Sequence, residues 1–114
     1  MDLSGRWRGW YAYGAGGMHH PMELVLTLKG SDLTGAGMDD IGTFTIAGTA
    51  AGGRVNWLKS YATHGVDYEG SFDGRFIRGG WRLGPGSGVF CLWPDGSGEV
   101  EAAVEQRELV EKKP

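Results

Sequence analysis

From Leu3 to Trp93 the chain alternates between apolar and polar or small residues with a period of two, and no part of it carries the longer period of an amphipathic helix. Such alternation belongs to strands with one buried and one solvated face. It predicts eight of them: Leu3 to Tyr13, Met22 to Lys29, Leu33 to Met38, Gly42 to Thr49, Arg54 to Ala62, Val66 to Phe72, Arg75 to Leu83 and Ser87 to Trp93. Trp7, Gly9 and Tyr11 share a face of the first strand, opposite Arg6, Arg8 and Trp10. Asp73-Gly74 reads as a two-residue hairpin turn with both positions at positive φ. The short loops favour an antiparallel up-and-down meander. Eight strands can close into a barrel, whose interior is then just filled or holds one small ligand. The expected fold is therefore all-β, an eight-stranded antiparallel meander barrel, with a two-sheet sandwich as the alternative.

At 114 residues, with 40% hydrophobic residues, the chain suits one soluble domain. Its 22 glycines show no collagen period and point to turns and curved strands. A net charge of −3 gives no nucleic-acid footprint, and the single Cys91 leaves no internal disulfide. No apolar run approaches the ~18 residues of a membrane span, and residues 1–10 lack the apolar core of a signal peptide. A cytoplasmic protein is expected. Residues 1–93 form the barrel domain in this reading, and 94–114 form a linker and an acidic C-terminal helix or tail. In that tail Val100, Ala103, Val104 and Val110 make a narrow apolar stripe among five glutamates.

The runs VNWLKSY, HGVDYEG and FIRGGWRL, with LTG at Leu33 to Gly35 and the opening SGRW, resemble the avidin and streptavidin barrels. The Gly-x-Trp opening is shared with lipocalins, so a lipocalin-like or other calycin-type barrel is an equal alternative. The resemblance covers nearly all of residues 3–93 and implies the fold more than the function. It sets Trp57, Trp81 and Tyr68 where those barrels place aromatic pocket walls. The polar residues that read biotin are not matched: His64 and Val66 stand where hydroxyls are expected. Biotin binding is not implied.

The leading candidate site is the barrel mouth, with Trp57, Lys59, Tyr61, His64, Tyr68 and Trp81. Lys59 shares parity with Val55, Trp57 and Tyr61, so alternation aims it inward. An unpaired buried lysine is costly, which leaves a rim lysine with its head in water or one that meets an anionic or carbonyl group of a ligand. Aromatic walls with a few polar groups are the usual make-up of a small-molecule site. Inward glycines (Gly5, Gly9, Gly35, Gly48, Gly70, Gly79) either leave ligand space or only permit curvature.

A second candidate is the outer face where the last strand closes on the first. Trp10, Val89, Cys91 and Trp93 gather there, with Arg6, Arg8, Arg78 and Arg82 around them. An exposed apolar patch marks an interface. The first expected cover is the chain's own C-terminal segment, followed by a second copy and then a phosphate-bearing partner. Met18-His19-His20-Pro21-Met22 carries soft and imidazole ligands, but adjacent histidines rarely face one ion, and a surface loop is the better reading. Asp39-Asp40 shows no arguable acid/base geometry, Cys91 reads as structural, and no phosphate loop is present. The expected function is non-catalytic binding of a small apolar or aromatic ligand at the mouth, without a cofactor. The alternative is an interaction module using the Trp10/Trp93 seam, and a small barrel isomerase or cyclase using His64 and Lys59 stands third.

Overall fold

A computed structural model describes residues 2–96, so the expected C-terminal helix or tail lies outside the described residues apart from its first few. The strands are β1 (Gly5–Tyr13), β2 (His20–Lys29), β3 (Asp32–Asp39), β4 (Thr43–Ala51), β5 (Arg54–Ser60), β6 (Gly65–Phe72), β7 (Ile77–Leu83) and β8 (Gly86–Pro94). Each pairs antiparallel with its neighbour in sequence, and β8 closes onto β1 from Trp7↔Pro94 to Tyr13↔Gly88. The meander barrel expected from the alternation is the observed fold. Closure leaves no strand edge unpaired, which is how a sheet of this size stays out of edge-to-edge association.

Alternation then sorts the side chains. Trp7, Leu24, Leu26, Leu33, Ile46, Val55, Trp57, Ile77, Phe90 and Leu92 are buried in the interior core. Their strand neighbours Arg6, Arg8, Glu23, Val25, Asp67, Glu69 and Arg82 face outward and are exposed. One end of the barrel is closed by the residues before β1. Gly5 adopts φ +133°, which ends the strand short of the expected Leu3 and turns Leu3 under the barrel. There Leu3 is fully buried, and Trp7 Nε1 donates to its carbonyl at 2.8 Å. The Phe72 ring meets Trp7 edge-on at the same end.

Two expectations change in detail. The link after β6 is wider than a two-residue hairpin: Asp73 to Phe76 form the loop, and only Gly74 has positive φ. The Asp73 carboxylate accepts hydrogen bonds from the Arg75 and Phe76 amides and supplies the turn chemistry itself. Of the six inward glycines, all but Gly5 lie against neighbouring backbone and open no ligand space. At Gly9, Gly35, Gly48, Gly70 and Gly79 a Cβ would lie 1.9–2.4 Å from a carbonyl oxygen of the neighbouring strand. Glycine is needed there because the curved wall brings backbones into contact. Replacing Gly79 by Ala is expected to cost about 3 kcal/mol or more in chemical denaturation, as overpacking against an immovable backbone does. Gly16→Ala, in open space at ordinary φ, is expected to stay within about 0.5 kcal/mol of the parent.

Candidate functional site

The opposite end, framed by the loops 14–19, 40–42, 61–64 and 84–85, is the mouth. Inward parity on β5 carries Lys59 into the barrel just above Trp57, where it is 1% exposed. Its Nζ donates to Asp39 Oδ2 at 2.5 Å and to the Tyr68 hydroxyl at 3.2 Å, with Met22 Sδ at 3.7 Å. Four rings surround the ammonium: Phe44 at 4.4 Å, Tyr11 at 4.8 Å, and Tyr61 and Tyr68 at 5.2 Å from their centroids. The head is thus neither in water at the rim nor waiting for an anionic ligand. An internal carboxylate whose own side chain is fully shielded meets it. Burial lowers the Lys59 pKa, while the hydrogen bond and charge of Asp39 oppose that fall.

Asp39 also accepts the Tyr61 hydroxyl. Asp40, next in sequence, anchors a second network nearer the surface. It accepts the Tyr11 hydroxyl on one oxygen, and His20 Nδ1 lies 2.6 Å from the other. The His20 ring stacks on Tyr11 at 4.8 Å. Partial burial works to raise the Asp40 pKa, but the hydrogen bonds from Tyr11 and His20 outweigh it and hold the carboxyl below its ordinary range. Desolvation, reinforced by hydrogen bonds to the carboxylates at Tyr11 and Tyr61 and by the Asp39 charge at all three, raises the pKa of Tyr11, Tyr61 and Tyr68. The three phenols therefore stay protonated.

Above this layer stand exposed and partly exposed side chains. Tyr13, 55% exposed, meets Trp81 edge-on at 5.2 Å and His20 at 5.5 Å. On the other side His64 stacks on the half-buried Tyr61 at 4.9 Å, with its Nδ1 3.0 Å from Thr63 Oγ1. Of the six residues expected at the mouth, only Tyr61 and His64 reach the rim. Lys59, Tyr68, Trp57 and Trp81 are buried beneath it. Trp57 stacks on Tyr68 at 5.6 Å and packs against Phe90. Trp81 Nε1 donates to the Ala12 carbonyl at 3.0 Å, whereas Trp57 Nε1 is buried without a hydrogen-bond partner among the described residues.

Tyr11, His20, Asp39 and Asp40 were not expected at the site. Asp39 was legible in part: the inward parity of Leu33, Gly35 and Gly37 continues to it, but the expected strand stopped one residue earlier at Met38. Its meeting with Lys59 joins β3 to β5 across the interior, which no local pattern encodes. His20 belongs to β2 rather than to a loop, and the two adjacent histidines separate, His20 onto Tyr11 and His19 onto the outward Trp10 at 3.6 Å. No group of three or more His, Cys, Asp or Glu side chains able to hold a metal occurs among the described residues. A groove along β4 to β8 is lined by the outward Arg54, Asp67, Glu69, Arg78 and Arg82, and Trp57, Tyr68 and Trp81 also contribute to its wall.

The closed eight-stranded antiparallel barrel is consistent with a calycin-like architecture in general. Comparison of the sequence with protein-family models and with curated proteins finds no match. No helix of the described residues is long and apolar enough to cross a membrane.

The mouth predicts an asymmetric dependence of stability on pH. Asp40 is depressed in the folded state, so its contribution is present above the unfolded value near 3.9 and is lost as pH falls through the folded one. The phenols are raised, so theirs is complete below about pH 10 and is lost as pH rises further. Lys59, depressed, acts against them: its share grows as pH rises toward about 10.4. Denaturant unfolding across pH 2 to 11 is expected to fall at both ends, with Asp40→Asn flattening the acid limb and Tyr61→Phe the alkaline limb.

Proposed function

We propose that this protein is a non-catalytic binding barrel that takes one small, partly aromatic or apolar molecule at its mouth. The observation that carries this reading is the charged pair Lys59–Asp39 held inside an aromatic cage beneath the exposed Tyr13 and half-buried Tyr61. A buried ion pair is a weak source of stability, because desolvation offsets most of its attraction. Its retention in an otherwise apolar interior fits a role in organising a site. Buried polar groups with shifted pKa values beneath a cleft are a common mark of such sites.

The ligand's ring would lie between Tyr13 with His20 on one side and Tyr61 with His64 on the other, while Asp40 and His64 take its polar group. Lys59 positions this layer from below by fixing Asp39, and through Asp39 the Tyr61 hydroxyl. The unpaired Trp57 N–H adds a second polar group beneath the mouth. The likeness of VNWLKSY and FIRGGWRL to avidin-type barrels supports binding at this end of the barrel. The enclosed ammonium, with partners on every side, supports binding over an isomerase or cyclase chemistry that needs an accessible Lys59. A chain with one cysteine also suits the reducing cytoplasm.

The test is amide and side-chain NMR of the full chain against small aromatic amines, acids and neutral rings, with indole, tryptamine and indole-3-acetate as the first probes. Shift changes are expected at Tyr13, His20, Asp40, Tyr61 and His64. Asp40→Ala and Tyr61→Ala are each expected to weaken binding tenfold or more. Probes that leave the mouth unmoved, or that shift only the outer groove, overturn the proposal.

A further inference from the structure

Trp10 and Ala12 on β1, and Cys91 and Trp93 on β8, point out of the barrel, with Trp10 and Cys91 directly paired across the closing ladder. Side chains on the outside of a one-layer wall stand in water unless something lies on them. These four are 7%, 0%, 2% and 2% exposed, as deeply covered as the interior core. His19 covers one side of Trp10, and Phe76 and Val89 pack at the flanks, with Arg78 over the Phe76 ring at 4.7 Å. These residues flank a second apolar cluster of four residues.

The chain itself leaves β8 at the foot of this cluster. The Asp95 amide donates to the Arg6 carbonyl at 2.9 Å, and Gly96 follows at φ +95°. Residues 97–114 follow, with Val100, Ala103, Val104 and Val110 spaced among Glu99, Glu101, Glu105, Glu108 and Glu111. The seam from Trp93 to Val89 is about 13 Å long at about 3.3 Å per strand residue. Even as a helix, at about 1.5 Å per residue, this segment is long enough to span it. Arg6, Arg8, Arg78 and Arg82 face outward on the strands around the seam, opposite in sign to the segment's glutamates.

We propose that the chain's own C-terminal segment, residues 99–110, docks on the Trp10–Trp93 seam. Its small apolar residues cover the two indoles, and its glutamates lie beside the flanking arginines. The seam is then an intramolecular interface that keeps both tryptophans out of contact with other proteins. A second copy of the chain is not needed there, because the seam is already covered within one chain.

Cys91, the single cysteine, reports directly on this cover. Its rate of reaction with a water-soluble disulfide reagent is measured in the full chain and in full-length Val100→Asp/Val104→Asp. The double variant is expected to react at least tenfold faster while far-UV circular dichroism and cooperative unfolding of the barrel persist. Should that variant fail to fold, Glu101→Lys/Glu105→Lys/Glu108→Lys is expected to react faster through charge repulsion, with the effect shrinking in high salt. An unchanged rate in a folded variant overturns the proposal. So does protection in the parent that rises with protein concentration, which assigns the seam to a second copy.

Discussion

The contact between Lys59 and Asp39 organises the mouth of the barrel. An ammonium placed by strand parity inside an apolar interior needs an opposite charge, and Asp39 reaches it across the barrel from β3. That single contact fixes the carboxylate that Tyr61 donates to, and it holds the ammonium against Tyr68 and among the rings of Tyr11 and Phe44. The neighbouring Asp40 pairs with Tyr11 and His20 nearer the surface. Two adjacent carboxylates thus serve two layers, one shielded and one partly exposed.

The wall that carries this layer is sealed differently at its two ends and on its two faces. Leu3 and Trp7 stop one end with apolar packing, whereas the other ends in aromatic and titratable side chains. Inside, large residues fill the space while glycines let strand backbones touch. Outside, most of the surface is the charged and polar half of the alternation. The seam at β1 and β8 is the exception, where that half turns apolar and is covered. The filled interior and the covered seam leave the rim of the mouth as the surface that combines exposed aromatics with convergent polar groups.

The architecture was legible because its signal is local and repeated. Each strand carries its own alternation, and turn residues mark its ends, so eight strands and their faces follow from Leu24-Val25-Leu26, Phe44-Thr45-Ile46 or Val55-Asn56-Trp57 alone. The inward aim of Lys59 and the outward aim of Trp10 and Trp93 followed for the same reason. What the pattern could not supply was partnership. Lys59 and Asp39 are two strands apart, and their meeting is set by the stagger of the closed sheet. The Gly5 turn and the wider Asp73 loop are not encoded in the alternation, because a positive φ or an Asx hydrogen bond depends on the fold around it. The roles of the inward glycines turned on interstrand distance, which no single strand reveals.

A double-mutant cycle separates a charge pair kept for the site from one kept for stability. Lys59→Met strands a shielded carboxylate and is predicted to cost about 3–5 kcal/mol in denaturant unfolding. Lys59→Met/Asp39→Asn removes both charges, leaves an acceptor for Tyr61, and is predicted to return to within about 1 kcal/mol of the parent while losing the mouth's affinity for its aromatic probes. A double variant that stays as unstable as the single one, or that binds at the mouth as the parent does, makes the pair a structural brace on which the site does not depend.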